Sequence, residues 1–427
     1  MTVSHYEQIE ARKAAPTADV VAPDVSAPAL PLAGAGAGAR TRIQSIDALR
    51  GFVMFLMLAE AMHLMNVRRA FPGNRFWEFV AFNTTHVPWQ GCSLHDLIQP
   101  AFSFLVGAAL PFSIASRMAR GESRGRMLLH AMWRSVALIL LGIFLRSMNS
   151  SQTYWTFEDT LTQIGLGYTF LFLLAFTSLR VQVGAFAAIL IGFWAAFVLY
   201  PLPPEGFDYT QVGVRPDWPY LYSGFLAHFN KNSNLSWAFD VWFLNLFPRV
   251  KPFLYNSGGW STLSFIPTLA TMMLGLWAGR WLMTGRPMIE KLKGLVIGGV
   301  ALTLAGLILQ WLHICPIIKR IWTSSYTLYS GGLVVLMLAG LYAVIELKGW
   351  KRWAFPLLVI GANSIAVYVM SWTMESFVSA ALVRHLGTRP FLIFGQPFEP
   401  VLRGFGVLLV FWLILFWMYR RKIFVRI

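Results

Sequence analysis

Stretches of about twenty apolar residues recur from Phe52 to the end of this 427-residue chain, and they limit its fold more tightly than any other feature. A hydrocarbon layer of roughly 30 Å takes about 20 helical residues to cross. It also offers no partner to a backbone N–H or C=O, so helices are the form such runs adopt. A composition of 56% hydrophobic and 13% charged residues fits that solvent and not a set of soluble domains. The expected fold is all-α, a polytopic integral membrane protein with about ten transmembrane helices. The spans are expected near 49–66, 97–116, 127–147, 160–178, 182–201, 261–283, 294–313, 324–346, 354–383 and 401–419, the ninth broken at Gly361-Ala362-Asn363-Ser364. Residues 1–41 are rich in Ala, Pro and Gly, lack the apolar content to order themselves, and read as a disordered cytoplasmic tail before a membrane domain at 42–427. The first residues carry His5, Glu7 and Glu10 with no apolar core, so no cleavable signal peptide is expected.

A net charge of +16 would raise nucleic acid as a partner of a soluble protein. Here the cations lie between apolar spans and no nucleic-acid motif accompanies them, so none is expected. Their placement instead orients the chain, because Lys and Arg concentrate in cytoplasmic loops. With an even number of spans both termini share the side that holds Arg117, Arg120, Arg124, Arg126, Arg280, Arg286, Lys291, Lys293 and Arg420 to Lys422. That side is read as the cytoplasm, and the membrane as the plasma (bacterial inner) membrane. Residues 67–95 and an extracytoplasmic loop at about 202–260 then face outward. The second is rich in aromatic and amide side chains, as in Ala227-His228-Phe229-Asn230-Lys231-Asn232, and suits either a sugar-facing lid or an interfacial aromatic belt. The two cysteines, Cys92 and Cys315, show no zinc-ligand spacing, and no metal is expected.

Charged residues inside spans are costly, which singles out Asp47, Arg50, Glu60, Arg134 and Glu375. Asp47 and Arg50 stand three apart on one helical face, either at a substrate site or as an ion pair at a helix end. The densest polar run, Asn83 to Pro100, holds His86, His95, Asp96 and Gln99 around the start of the second span. An imidazole with an ordinary pKa near 6.5 suits proton removal from an amine or hydroxyl at neutral pH, which makes His86 a candidate base. Asp96 could orient a histidine or cap the helix.

Several motifs, in order, resemble the transmembrane heparan-α-glucosaminide N-acetyltransferase family and its bacterial relatives. They are Ser45-Ile46-Asp47-Ala48-Leu49-Arg50-Gly51-Phe52, the His86-x-x-Trp89-x-Gly91 element followed by Asp96-Leu97-Ile98-Gln99-Pro100, and Trp133-Arg134-Ser135. Gly361 to Val369 and Tyr419 to Phe424 continue the likeness, which runs from about Arg42 to Ile427. The resemblance implies an enzyme that uses cytosolic acetyl-CoA, as co-substrate, to acetylate a terminal glucosamine amine across the membrane. It also implies His86 as the active-site histidine. The family's animal members carry an asparagine late in the first core helix, where this chain reads Leu58-Ala59-Glu60-Ala61-Met62-His63.

In the chemistry so implied, His86 is the base or a transiently acetylated nucleophile, and Asp96 fixes its tautomer. Trp89 shapes the acceptor pocket, and Gln99 or Asn363 donates to the oxyanion or the acceptor, unless they only bond helix to helix. Arg120 and Arg124, with Arg134 deeper in the next span, are the candidate ligands for coenzyme phosphates. Expected partners are membrane lipid, acetyl-CoA and an amino-sugar or glycan acceptor, with a homodimer compatible. The alternatives are O-acylation of a cell-surface glycan and a transporter or flippase of glycolipid intermediates hinged at the broken ninth span.

Overall fold

The computed structural model describes residues 43–425, and the expected tail lies outside them. Every regular element among the described residues is helical; the strand-like pairing is one isolated bridge between Gln90 and Ile318. Helix α1 (Gln44–Leu58) runs on as a tight turn, Ala59–Met62, to His63. A φ of 45° at His63, uncommon for a residue with a side chain, starts a 47° bend into α2 (Leu64–Ala70). Helix α3 (Arg75–Asn83) follows, its first N–H groups satisfied by the Asn74 side chain. A turn at His95–Leu97 leads into α4 (Ile98–Met118). Then come α5 (Arg124–Ser147), α6 (Thr160–Leu174) and α7 (Leu179–Leu199), capped by Ser123, Asp159 and Ser178. The long connection after α7 contains α8 (Leu235–Leu244). The chain continues as α9 (Phe265–Met283), α10 (Met288–Trp311), α11 (Ser324–Tyr342), α12 (Phe355–Ala362), α13 (Ser364–Thr373), α14 (Glu375–Leu386) and α15 (Glu399–Arg420).

By length and composition, 7 helices among the described residues can cross a membrane, and up to 9 do so if each of two bent pairs is one span. The pairs are α1–α2 and α12–α13, the latter bent by 68° at the expected break. The span expected at 160–178 is shorter than the sequence suggests. Its 15 residues rise only ~22 Å, because Ser178 already caps α7 by accepting from the Val181 N–H. Helix α9 is the axis of the bundle, with 78% of its most apolar stretch buried, whereas α10 is 17% buried and turns most of its surface outward. Small residues let backbones touch where the bundle is tightest. A methyl group on Gly107 of α4 would overlap the Met272 carbonyl of α9, and one on Gly275 of α9 would overlap the Phe104 carbonyl. Helices α1 and α12 meet the same way, Gly51 against the Leu357 carbonyl and Gly361 against that of Asp47.

Amides of the long loop, the element suited by sequence to a sugar-facing lid or an aromatic belt, bond mainly to the loop itself. Asn232 donates to the Val212 and Asn256 carbonyls, Asn230 to that of Tyr222, and Lys231 to that of Ser257. These buried side chains hold the loop's own backbone, which has few regular hydrogen bonds to spend. Phe229 stacks on Phe197 of α7 at 5.8 Å and ties the loop to the bundle.

Candidate active site

Three segments far apart in sequence meet at one end of the bundle: the turn before α4, the connection between α10 and α11, and the end of the long loop. Gly91 N–H donates to the Ile317 carbonyl at 2.9 Å. The Arg320 guanidinium donates to the carbonyls of Gly258 and Val87 and lies 4.8 Å over the Trp260 ring. The His-x-x-Trp-x-Gly spacing has a mechanical reason here. Trp89 is fully buried and its indole N–H donates to the Phe229 carbonyl at 3.2 Å, so it anchors the segment beneath the long loop. This corrects its expected place in a pocket wall: the ring has no free face to offer a substrate. Gly91 has a φ of 113°, a conformation open to glycine and rarely to other residues, and this turn brings the chain to Ile317.

Ahead of that anchor, His86 stands with Nδ1 2.8 Å from Asp96 Oδ1. Asp96 is buried, and its other oxygen accepts from the N–H groups of Val87 and Ser93 and from the Ser93 hydroxyl, at 3.0–3.2 Å. Lys319 brings Nζ to 3.3 Å from Asp96 Oδ1 and 3.2 Å from His86 Nδ1. A carboxylate oxygen 2.8 Å from a nitrogen lone pair would be repelled, so Nδ1 carries the hydrogen and the unprotonated nitrogen is Nε2. Burial and the Lys319 charge push the imidazole down to about 4, against the pull of the Asp96 hydrogen bond. At neutral pH the ring is an uncharged base with a fixed tautomer. Burial also pulls the Lys319 ammonium down, and Asp96 opposes that pull.

A second carboxylate–imidazole pair lies beside the first. His95 Nε2 is 2.5 Å from Glu60 Oε1, and the His95 and His86 rings are 4.5 Å apart. His86, His95 and Glu60 border a pocket of about 360 Å³, within the range of small-molecule sites, and Asp96 lies buried behind His86. Gln99, Lys319 and Trp260 line it with them, and Arg146, Glu158, Tyr368, Trp372 and Glu375 complete the wall. Burial pushes the Glu158 carboxyl up to about 6 against the charge of Arg146, and the Asn256 amide donates to it at 2.5 Å.

Of the residues singled out from sequence, the structure brings together His86, His95, Asp96, Gln99, Glu60 and Glu375. Asn363 is wholly buried at the α12–α13 break, where its amide donates to the Ile423 carbonyl and accepts from the Val425 N–H. It ties the chain after α15 to the break and does not line the pocket. Asp47 and Arg50 pair at 3.1 Å on α1 and do not line it either. Arg120 is held by Glu122 at 2.8 Å, Arg124 lies over the Phe176 ring at 5.4 Å, and Arg134 lies over Tyr168 at 4.7 Å. None of the three reaches the pocket. Lys319, Trp260, Glu158 and Arg146 were not singled out as site residues. Lys319-Arg320 carried a signal, since a basic pair in a short connection on the face otherwise poor in cations calls for a local partner.

No family model matches the chain. Over 378 residues it is 25% identical to heparan-alpha-glucosaminide N-acetyltransferase of Homo sapiens, an alignment that covers 79% of this chain and 53% of that protein. The chain is similar in sequence to a heparan-alpha-glucosaminide N-acetyltransferase over most of its length. The protein of the same name from Mus musculus is 23% identical over 376 residues, with 79% and 54% covered. The chain thus spans about half the length of these acetyltransferases.

Proposed function

We propose that this chain is a transmembrane acetyltransferase that moves an acetyl group from cytosolic acetyl-CoA to the amine of a glucosamine-like acceptor on the extracytoplasmic face. In this reading α6 is a tenth crossing, which puts both termini on one side; the clustered Lys and Arg of that side support the cytoplasmic face of a bacterial inner membrane. The observation that carries the reading is the Asp96–His86 pair at the pocket, whose remaining nitrogen is a neutral base. The names of the relatives support the reaction class.

In the proposed step the acceptor amine attacks the thioester carbonyl and His86 Nε2 takes a proton from it. The C–S bond of the tetrahedral adduct then breaks, and the coenzyme leaves as the thiol with a proton returned by His86. Lys319 and Gln99, both in the pocket wall, are the donors for the developing oxyanion, and buried Asp96 stabilises the imidazolium. Arg120, Arg124 and Arg134 keep their proposed role toward the coenzyme phosphates, outside the pocket. Glycolipid transport has the 68° break in its favour, but Asn363 pins that break to the chain end, and transport has no use for an oriented imidazole.

Purified protein given radiolabelled acetyl-CoA and a panel of amino sugars should yield labelled N-acetyl product. Label on a hydroxyl alone would reassign the protein to O-acylation, and no label on any acceptor would remove the transferase reading. Sidedness has its own test. Glu205, exposed in the long loop, is the outer probe position. Glu205→Cys should react with a membrane-impermeant thiol reagent in intact cells, above the parent protein's background, while Ser123→Cys should not. The reverse pattern would turn the protein over in the membrane.

A further inference from the structure

We propose that Glu60, His86 and His95 form a binding site for a divalent transition-metal ion of the Zn²⁺ class, and that the bound ion switches the acceptor pocket off by occupying the His86 lone pair. The switching half rests on the proposed base role of His86; the binding half does not.

Two imidazoles and a carboxylate are a common donor set for such ions, and one ligand atom from each lies within 4.8 Å of the others. Bonds near 2.0–2.1 Å in a tetrahedron set donors roughly 3.3 Å apart, so the site closes with small side-chain movements. Glu60 and His86, with side chains 56% and 36% exposed, can supply them around His95, which is 6% exposed. In the empty site a proton joins His95 Nε2 to Glu60 Oε1 at 2.5 Å, and the ion takes its place. The support around the site is also that of a metal ligand. Asp96 accepts from His86 Nδ1, which fixes the ring and leaves Nε2 as the nitrogen to donate, as carboxylates do behind metal-bound histidines. The fourth position opens to the pocket, where water can complete the shell. Lys319 and Arg146 are opposing charges in the pocket wall; the pairing of Lys319 with Asp96 offsets the first, and Glu158 and Glu375 add negative charge against the second.

The test uses full-length, tag-free protein in detergent, stripped with a chelator and titrated with Co²⁺. A single Co²⁺ should bind with the visible ligand-field absorption of a four-coordinate site, be displaced by Zn²⁺, and bind more than about tenfold more weakly in Glu60→Gln and in His95→Gln. Thermal melts establish that each variant is folded before titration. Absence of that absorption, or equal affinity in both folded variants, overturns the site whatever the enzyme does. Zn²⁺ should also abolish acetyl transfer at the concentration that fills the site. Full activity with the site filled overturns the switch, and a preparation that binds Co²⁺ as expected yet transfers no acetyl group would sink the transferase reading and leave the metal site standing.

Discussion

His86→Ala will lower kcat for acetyl transfer by roughly 10²–10⁴-fold while leaving acetyl-CoA affinity nearly unchanged. The size follows from what is removed: a neutral imidazole whose tautomer Asp96 fixes, in the wall of the pocket. The retained affinity follows from what is not removed, since the candidate phosphate ligands Arg120 and Arg124 lie outside that pocket. Turnover by purified protein, with coenzyme affinity read separately by calorimetry, checks both halves. A residue that merely shaped the loop would give the opposite pattern, a lower melting temperature with turnover preserved in the folded fraction. His95→Ala is the internal comparison: loss there with activity kept in His86→Ala would move the base to the Glu60–His95 pair.

The second large effect is on stability. Asp96 and Lys319 have side chains 1% and 3% exposed, and each is the other's counter-charge. Removing one member of a buried pair strands the other, at a cost of about 3–5 kcal/mol. Asp96→Ala should therefore lower the melting temperature in detergent sharply. Adding Lys319→Met should recover most of that loss, because the stranded ammonium goes with it. Neither protein should be active, since His86 has lost the group that orients it. If the double variant melts as low as the single one, Lys319 does not depend on Asp96 and the proposed electrostatics of the site are wrong.

Much of the fold was legible because hydropathy reports directly on the solvent. The spans from 97–116 onward are helices close to where the apolar runs place them, and Gly361 to Ser364 marked the break. The run at 160–178 misled because apolar residues continue through Phe176, while α6 ends at Leu174, whose carbonyl accepts from the Thr177 hydroxyl and the Gln182 amide, and Ser178 already caps α7. In the site, His86 and Asp96 could be read because they sit ten residues apart in one turn. The Lys319-Arg320 pair stood out only as cations wanting a partner, since the folded chain alone carries Lys319 across 233 positions to Nδ1 of His86. Trp89 shows the complementary difficulty. An anchor and a pocket wall look alike in sequence, and only the bond to the Phe229 carbonyl separates them. Asn363 is a case of the same kind, an amide at a break that serves the chain end and not a ligand.

The two walls of the pocket are built to different tolerances. Gln99 belongs to α4, whose distance from α9 is set by backbone contact at Gly107 and Gly275 and leaves no room for adjustment. Ser371, Trp372 and Glu375 instead lie beyond the 68° break, on α13 and at the start of α14, where orientation depends on how the chain leaves Asn363. One wall is set by backbone contact between helices; the other is set by the turn that Asn363 holds. A scaffold divided in this way can change what it grips without retuning how it reacts, and the residues following Asn363 are where a lineage, or a designer, would exchange one acceptor for another.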